Sequence, residues 1–255
     1  MKIFITGGNG YIGINLRRHL QEMSCPYVNY DLTVGFDVLD KQKVYQKMYG
    51  CDAVVHLAGV PRVTYCERNV EEAVEVHVYG TSNIVENAAL HRIPVVFAST
   101  FAAKSAHNVY GMTKRLAERI VLNRGGVVLR FANVYGGLGY MTRKHTALAS
   151  FVDNKNHGMK ATIFGDGSAT RDFIHVDDVC RAIINAMSAP PGVYEICTGK
   201  QTSIKELADM IGVEYDFADE RRGDIKTVGG EPPSMEALGW TPEITLKKGL
   251  EELMK

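Results

Sequence analysis

The chain has 255 residues, 45% of them hydrophobic, and its 29 lysines and arginines balance 29 aspartates and glutamates for a formal net charge of +0. That is enough apolar material for a full core, and the balanced charge gives no electrostatic reason to expect nucleic acid or an anionic membrane as partner. No apolar run approaches the ~20 residues of a membrane span, and five cysteines (Cys25, Cys51, Cys66, Cys180, Cys197) without metal-ligand spacing read as small apolar core residues in a reducing cytoplasm.

The first residues form a short apolar strand ending at Thr6, so no secretory leader is expected ahead of it. The strand runs straight into Gly7-Gly8-Asn9-Gly10-Tyr11-Ile12-Gly13. Glycines at 7, 10 and 13 allow a tight turn, close approach of a pyrophosphate, and close packing of the helix that starts near Tyr11. The N–H groups and partial positive charge of that helix start then face the phosphates. An amphipathic helix (Ile12, Leu16, Leu20) and a second strand from Pro26 to Tyr30 follow, and Asp31 stands eighteen residues after Gly13. A carboxylate there accepts both ribose hydroxyls of an adenosine and repels a 2′-phosphate, which favours NAD over NADP. No lysine or arginine lies between Pro26 and Asp40 to argue otherwise.

Further strands are expected at 53–57, 93–99 and 127–131, separated by helices near 69–91 and 110–123, the alternation of a doubly wound parallel sheet. After Asn133 the elements shorten: a helix near 143–156, a strand at 161–164, a helix at 176–187, a strand at 193–197, and two or three small helices to the end. This second part is expected to be a small α/β cap on the sheet, with the cleft between them as the site.

Ser99 and Thr100 close the fourth strand, where open α/β sheets place ligands, and Tyr110-Gly111-Met112-Thr113-Lys114 opens the next helix. Tyr and Lys four apart share a helical face, so the ammonium can favour the phenolate and make Tyr110 a usable base. Tyr140 and Lys144 have the same spacing but follow no hydroxyl-bearing strand end, and they read as a surface coincidence.

In this order the motifs resemble the extended short-chain dehydrogenase/reductase family, and in particular its nucleotide-sugar epimerases of the UDP-glucose 4-epimerase type. Thr6 to Gly13 is similar to the family's glycine turn, Asp37-Val38 to its adenine-contacting pair, and His56-Leu57-Ala58-Gly59 to its third-strand cofactor motif. Leu129-Arg130-Phe131-Ala132-Asn133 resembles a segment whose asparagine contacts the substrate nucleotide. Gly165-Asp166-Gly167, Arg171-Asp172-Phe173, Val176-Asp177-Asp178, Arg221-Arg222-Gly223-Asp224 and Leu238-Gly239-Trp240-Thr241-Pro242 extend the likeness to nearly the whole chain.

The resemblance implies a Rossmann domain at 1–158 and 174–198 and a substrate-binding cap at 159–173 and 199–255. It implies NAD contacts from Gly7, Gly10, Tyr11, Ile12, Gly13, Asp31, Asp37, Val38, Leu57, Ala58, Gly59, His77, Ser99, Tyr110 and Lys114. Catalysis falls to Thr100, Tyr110 and Lys114. Substrate contacts fall to Thr100, Asn133, Phe164 and the diphosphate-binding Arg171 and Arg221, with Phe164 equally open to core packing. The reaction implied is epimerisation at C4 of a nucleotide-diphosphate sugar, such as UDP-glucose and UDP-galactose, through a 4-keto sugar. The helices near 69–91 and 110–123 resemble the family's dimer interface, so a homodimer is expected.

Two departures stand out. His77 occupies the position of a family asparagine that supports the active-site backbone and a proton-relay water. Only nine residues separate Thr100 from Tyr110, where relatives carry a longer loop over the sugar. Thr100-Phe101-Ala102-Ala103 also lacks the acid that dehydrating and decarboxylating relatives place there, which argues against both reactions. A sugar 4-reductase or dehydrogenase, and a catalytically silent NAD-sensing regulator of the same fold, stay open.

Overall fold

The computed structural model describes residues 1–143, 146–220, 227–229 and 235–254. The first half builds β1 (Ile3–Thr6), α1 (Tyr11–Glu22), β2 (Tyr27–Tyr30), α2 (Lys41–Met48) and β3 (Ala53–His56). Then come α3 (Val63–Arg68), α4 (Val70–Val74), a π-helical segment (Glu75–Gly80), α5 (Thr81–His91), β4 (Val95–Thr100), α6 (Ala102–Ser105), α7 (Val109–Asn123) and β5 (Val127–Phe131).

The strands are parallel in the order β2-β1-β3-β4-β5. The apolar side chains of β1 and β3 are buried throughout, as expected for strands covered on both faces. Phe4, Val54, Phe97 and Val128 from the strands pack with Val44 and Met48 of α2, Ile84 and Ala88 of α5, and Ala117 and Val121 of α7. From β1 the chain crosses by α1 to β2 on one side, whereas β3 and the later strands lie on the other. The order therefore reverses between β1 and β3, and the crevice at their C-terminal ends is where such sheets take ligands.

The remaining elements are β6 (Asn133–Tyr135), α8 (Ala147–Asn156), β7 (Ala161–Phe164), β8 (Thr170–His175), α9 (Val176–Ala186), β9 (Gly192–Ile196), β10 (Gln201–Ser203), α10 (Ile204–Ile211), β11 (Tyr215–Ala218), β12 (Thr227–Val228), α11 (Met235–Leu238) and α12 (Leu246–Leu253). β9 pairs with β5 and completes a six-stranded parallel sheet. Among the described residues, β8 is the hub of a second sheet, antiparallel to β10 and parallel to β6 and β12, while β7 and β11 form a parallel pair.

By packing the chain forms two compact units. One holds Met1–Phe131, Cys180–Ile196 and Pro233–Trp240; the other holds Ala132–Val179, Cys197–Pro232 and Thr241–Lys255.

The strands and helices expected from the pattern appear within a few residues of their expected bounds. The structure adds α2, α3, α6 and the short strands β6, β8, β10, β11 and β12. Such pieces are too short to show a period. Tyr140 corrects one expectation: it is 2% exposed rather than a surface residue, edge-on to Tyr135 with ring centroids 6.4 Å apart and its hydroxyl 3.2 Å from that of Thr146. Lys144 lies outside the described residues.

Candidate functional site

The glycine turn is built by close backbone approach. Gly7 has φ +68°, and a Cβ there would stand 2.7 Å from the amide nitrogen of Ala58, in the motif that follows β3. A Cβ on Gly13 would collide with the carbonyl oxygen of Gly7 and the backbone of Gly8. The turn is thus welded to the C-terminal ends of β1 and β3, at the point where the strand order reverses. Among the described residues no side chain caps α1 at Gly10, and the positive end of the helix favours an anion there. Leu57 donates its N–H to the Thr6 carbonyl at 3.1 Å and Ala58 to the Thr6 hydroxyl at 3.2 Å. That hydroxyl lies 2.6 Å from Nδ1 of His56, whose Nε2 is 3.0 Å from the Thr81 hydroxyl. Burial drives the His56 pKa down to about 3, with the Lys114 charge adding to it, so this buried chain is neutral.

Asp31 is buried at the tip of β2. Its Oδ1 accepts from the backbone (2.9 Å) and hydroxyl (2.7 Å) of Thr33, and its Oδ2 from the Asn9 backbone (2.9 Å). Burial alone would raise its pKa, but the Thr33 and Asn9 hydrogen bonds and the charge of Arg17 hold it below the usual carboxylate value. Arg17 also donates to Asn9 Oδ1 and, at 3.2 Å, to the Gly8 carbonyl. The sequence between Pro26 and Asp40 could not show this cation, because α1 delivers it. Asp37 caps the Leu39 amide at 2.9 Å, and Val38 is buried in the core under α5.

Ser99 and Thr100 close β4 as expected, but their hydroxyls have different surroundings. Ser99 is buried and donates to Glu118 at 2.5 Å, while Thr100 Oγ1 accepts the Ala102 amide at 3.2 Å. Two side chains fix the start of α7. Asn108 caps the Gly111 amide at 2.8 Å, and Glu67 of α3 accepts the Val109 amide at 2.8 Å. Tyr110 and Lys114 then lie one turn apart on the same face.

The Lys114 ammonium is buried. It donates to the Ala98 carbonyl at 2.6 Å and stands 4.2 Å from the centroid of the Phe97 ring. Burial pulls its pKa down to about 7 against the charge of Glu118. A Cβ on Gly59 would be 3.7 Å from its Nζ and 3.3 Å from His77 Nε2, so the third-strand motif, His77 and Lys114 are neighbours.

His77 sits on the π-helical segment, an insertion found often at functional sites. Its Nε2 accepts the Val60 amide at 2.9 Å and its Nδ1 is 2.8 Å from the Thr113 hydroxyl, which donates to the Val109 carbonyl at 2.8 Å. A neutral imidazole protonated on Nδ1 satisfies all three bonds. Burial and the Lys114 charge hold its pKa near 3 against the Val60 hydrogen bond. The ring meets Tyr110 edge-on at 5.7 Å. This histidine therefore ties the turn after β3 to the helix that carries Tyr110 and Lys114.

In the second unit, the Asn133 side-chain nitrogen on β6 is buried with no hydrogen-bond partner among the described residues, a donor that fits a ligand oxygen. Phe164 is half-buried at the end of β7, and Arg171 on β8 donates to the Thr170 carbonyl at 2.7 Å. Its neighbour Asp172 is fully buried and accepts from the Thr198 backbone and hydroxyl and the Gly199 backbone at 2.7–3.1 Å. Arg221 and Arg222 lie outside the described residues.

Sequence reading missed Glu118, Arg130, Thr113 and Arg17. Spacing alone could have flagged Glu118, which continues the four-residue step from Tyr110 through Lys114. Among the described residues there is no cluster of histidine, cysteine and carboxylate able to hold a metal ion, and no helix long and apolar enough to cross a membrane.

Known proteins resemble this chain along most of its length. The sequence model of the NAD dependent epimerase/dehydratase family matches residues 3–197. A Methanocaldococcus jannaschii protein, provisionally a UDP-glucose 4-epimerase, is 30% identical over 99% of this chain and 97% of its own length. The GDP-6-deoxy-D-mannose reductase of Pseudomonas aeruginosa is 25% identical over 99% of this chain and 96% of its own. The structure of MoeE5 in complex with UDP-glucose and NAD superposes with a TM-score of 0.89 at 25% identity, covering 100% of this chain and 97% of that one.

Proposed function

We propose that this chain, which belongs to the NAD-dependent epimerase/dehydratase family, epimerises C4 of a nucleotide-diphosphate sugar, with UDP-glucose and UDP-galactose as the pair. The observation that carries the reading is the placement of Tyr110 and Lys114 one turn apart on α7, with the start of that helix fixed by Asn108, Glu67 and His77.

The glycine turn fits a dinucleotide-binding loop, since a Cβ at Gly7 or Gly13 would collide with the backbone that holds the turn in shape. Its amides and Asp31 would hold the pyrophosphate and the adenosine ribose. Bound there, NAD supplies the acceptor and then the donor of hydride at C4. Tyr110 removes the proton of the C4 hydroxyl and later returns it, and Thr100 hydrogen-bonds the same oxygen. The buried Lys114 ammonium favours the Tyr110 phenolate. His77 keeps the turn after β3 in register with α7. Asn133, Phe164, Arg171 and Arg221 are proposed to hold the nucleotide and its diphosphate, guanidinium being suited to bidentate contact. Exposed Tyr79, Met112 and Leu116, on the helices expected to pair, support a homodimer.

The assay is conversion of UDP-galactose to UDP-glucose with no steady rise in reduced nicotinamide. Tyr110→Phe should abolish turnover and leave NAD bound. The reductase relative supports the alternative, and stoichiometric oxidation of reduced cofactor with a 4-keto sugar, without 4-epimer from UDP-hexoses, would establish it.

A further inference from the structure

Glu118 is 2% exposed, one helical turn beyond Lys114. Its carboxylate is held on three sides: Oε1 accepts from Ser99 at 2.5 Å and from Arg130 Nε at 2.9 Å, and Oε2 accepts from Arg130 Nη2 at 2.6 Å. Arg130 is in turn paired in register with Glu195 of β9, and Glu195 bonds Lys104 of α6 at 2.6 Å. The charge of Glu195 adds to that of Glu118 in holding the Arg130 guanidinium protonated.

The titratable groups that bear on Lys114 are Glu118 and Tyr110 from its own helix, His56 from β3, His77 from the π-helical segment and Cys66 from α3. The two histidines are neutral and burial keeps the Cys66 thiol protonated, so Glu118 brings the formal negative charge.

We propose that Glu118 is a positioning residue that keeps Lys114 cationic at the end of β4, with Ser99 and Arg130 fixing the carboxylate at the register that requires. The inference rests on the reading of Lys114 as part of the reaction, but it concerns the charge of that ammonium and can be read without turnover.

The test is the titration of Lys114 in the full-length protein by lysine 13Cε resonances, assigned with Lys114→Arg. Glu118→Gln should lower the titration midpoint by about one pH unit or more, and Glu118→Asp, which keeps the charge, should largely restore it. Ser99→Ala should lower the midpoint by a smaller amount, because the carboxylate loses one of the donors that hold it in place. An unmoved midpoint in a folded Glu118→Gln protein overturns the proposal. If that variant does not fold, an unmoved midpoint in Ser99→Ala does so. The alkaline limb of the UDP-galactose rate profile should follow the midpoint. A midpoint that moves while the profile stands still supports the Glu118 inference and removes Lys114 from the reaction.

Discussion

The two buried histidines should make the first unit acid-labile, and His77 allows the effect to be isolated. Both rings are neutral in the fold, with pKa values held down to about 3 by burial, whereas in the unfolded chain a histidine titrates near the ordinary 6.5. The unfolded state therefore binds more protons between these limits. The stability due to the neutral rings is intact above pH 6.5 and falls steadily as the pH drops toward 3. At pH 5 the deficit is 1.5 pH units at 1.36 kcal/mol each, about 2 kcal/mol per histidine and about 4 kcal/mol for the pair. That is a large part of a typical domain stability of about 5–15 kcal/mol.

His77→Asn removes one of the two linkages. It should be less stable than the parent at pH 7.5, because a shorter side chain cannot reach both Val60 and Thr113. Between pH 7.5 and pH 5 that gap should narrow by about 2 kcal/mol, since one ring fewer resists protonation. Urea unfolding followed by emission of the single tryptophan, Trp240, which is buried in the same unit, reports the difference at each pH. A gap that stays constant across this range would refute the reasoning, because it would mean that His77 accepts a proton in the fold as readily as out of it.

Asp31→Ala should weaken NAD by about 1.5–3 kcal/mol and NADP by much less, the range of a charge-assisted hydrogen bond; equal losses in parallel titrations would remove Asp31 from the ribose. Gly13→Ala should abolish dinucleotide binding in calorimetry, because its Cβ has no room against Gly7 and Gly8, and an unchanged affinity would show that the turn can yield. Arg171→Ala should raise KM for UDP-galactose and spare NAD affinity, whereas a loss confined to kcat would place Arg171 away from the diphosphate. His77→Ala should lower activity about 10–100-fold, the range of a supporting residue, while His77→Asn keeps most of it; full activity in the alanine variant would reduce His77 to packing.

The sequence by itself determined the parts of this protein that depend on local order. The glycine turn is legible because a strand, three spaced glycines and a helix must be consecutive to make it, and Asp31 because the second strand has to end there. Tyr110 and Lys114 are legible because a helix converts a spacing of four into one face, and the alternation of apolar strands and helical patterns yields the parallel sheet.

Tertiary structure decided what reaches across that order. Arg17 approaches Asp31 from α1, the Thr6, His56 and Thr81 chain closes between two strands and a helix, and Tyr140 turns inward to Tyr135. The pairing of Glu118 with Ser99 and Arg130 depends on the register of β4 beside β5, where Ser99 faces Arg130. Periodicity cannot contain such contacts. It reports which face of an element is apolar, whereas the partner of a buried polar group depends on which elements the folded chain makes neighbours, here residues as far as 50 positions apart.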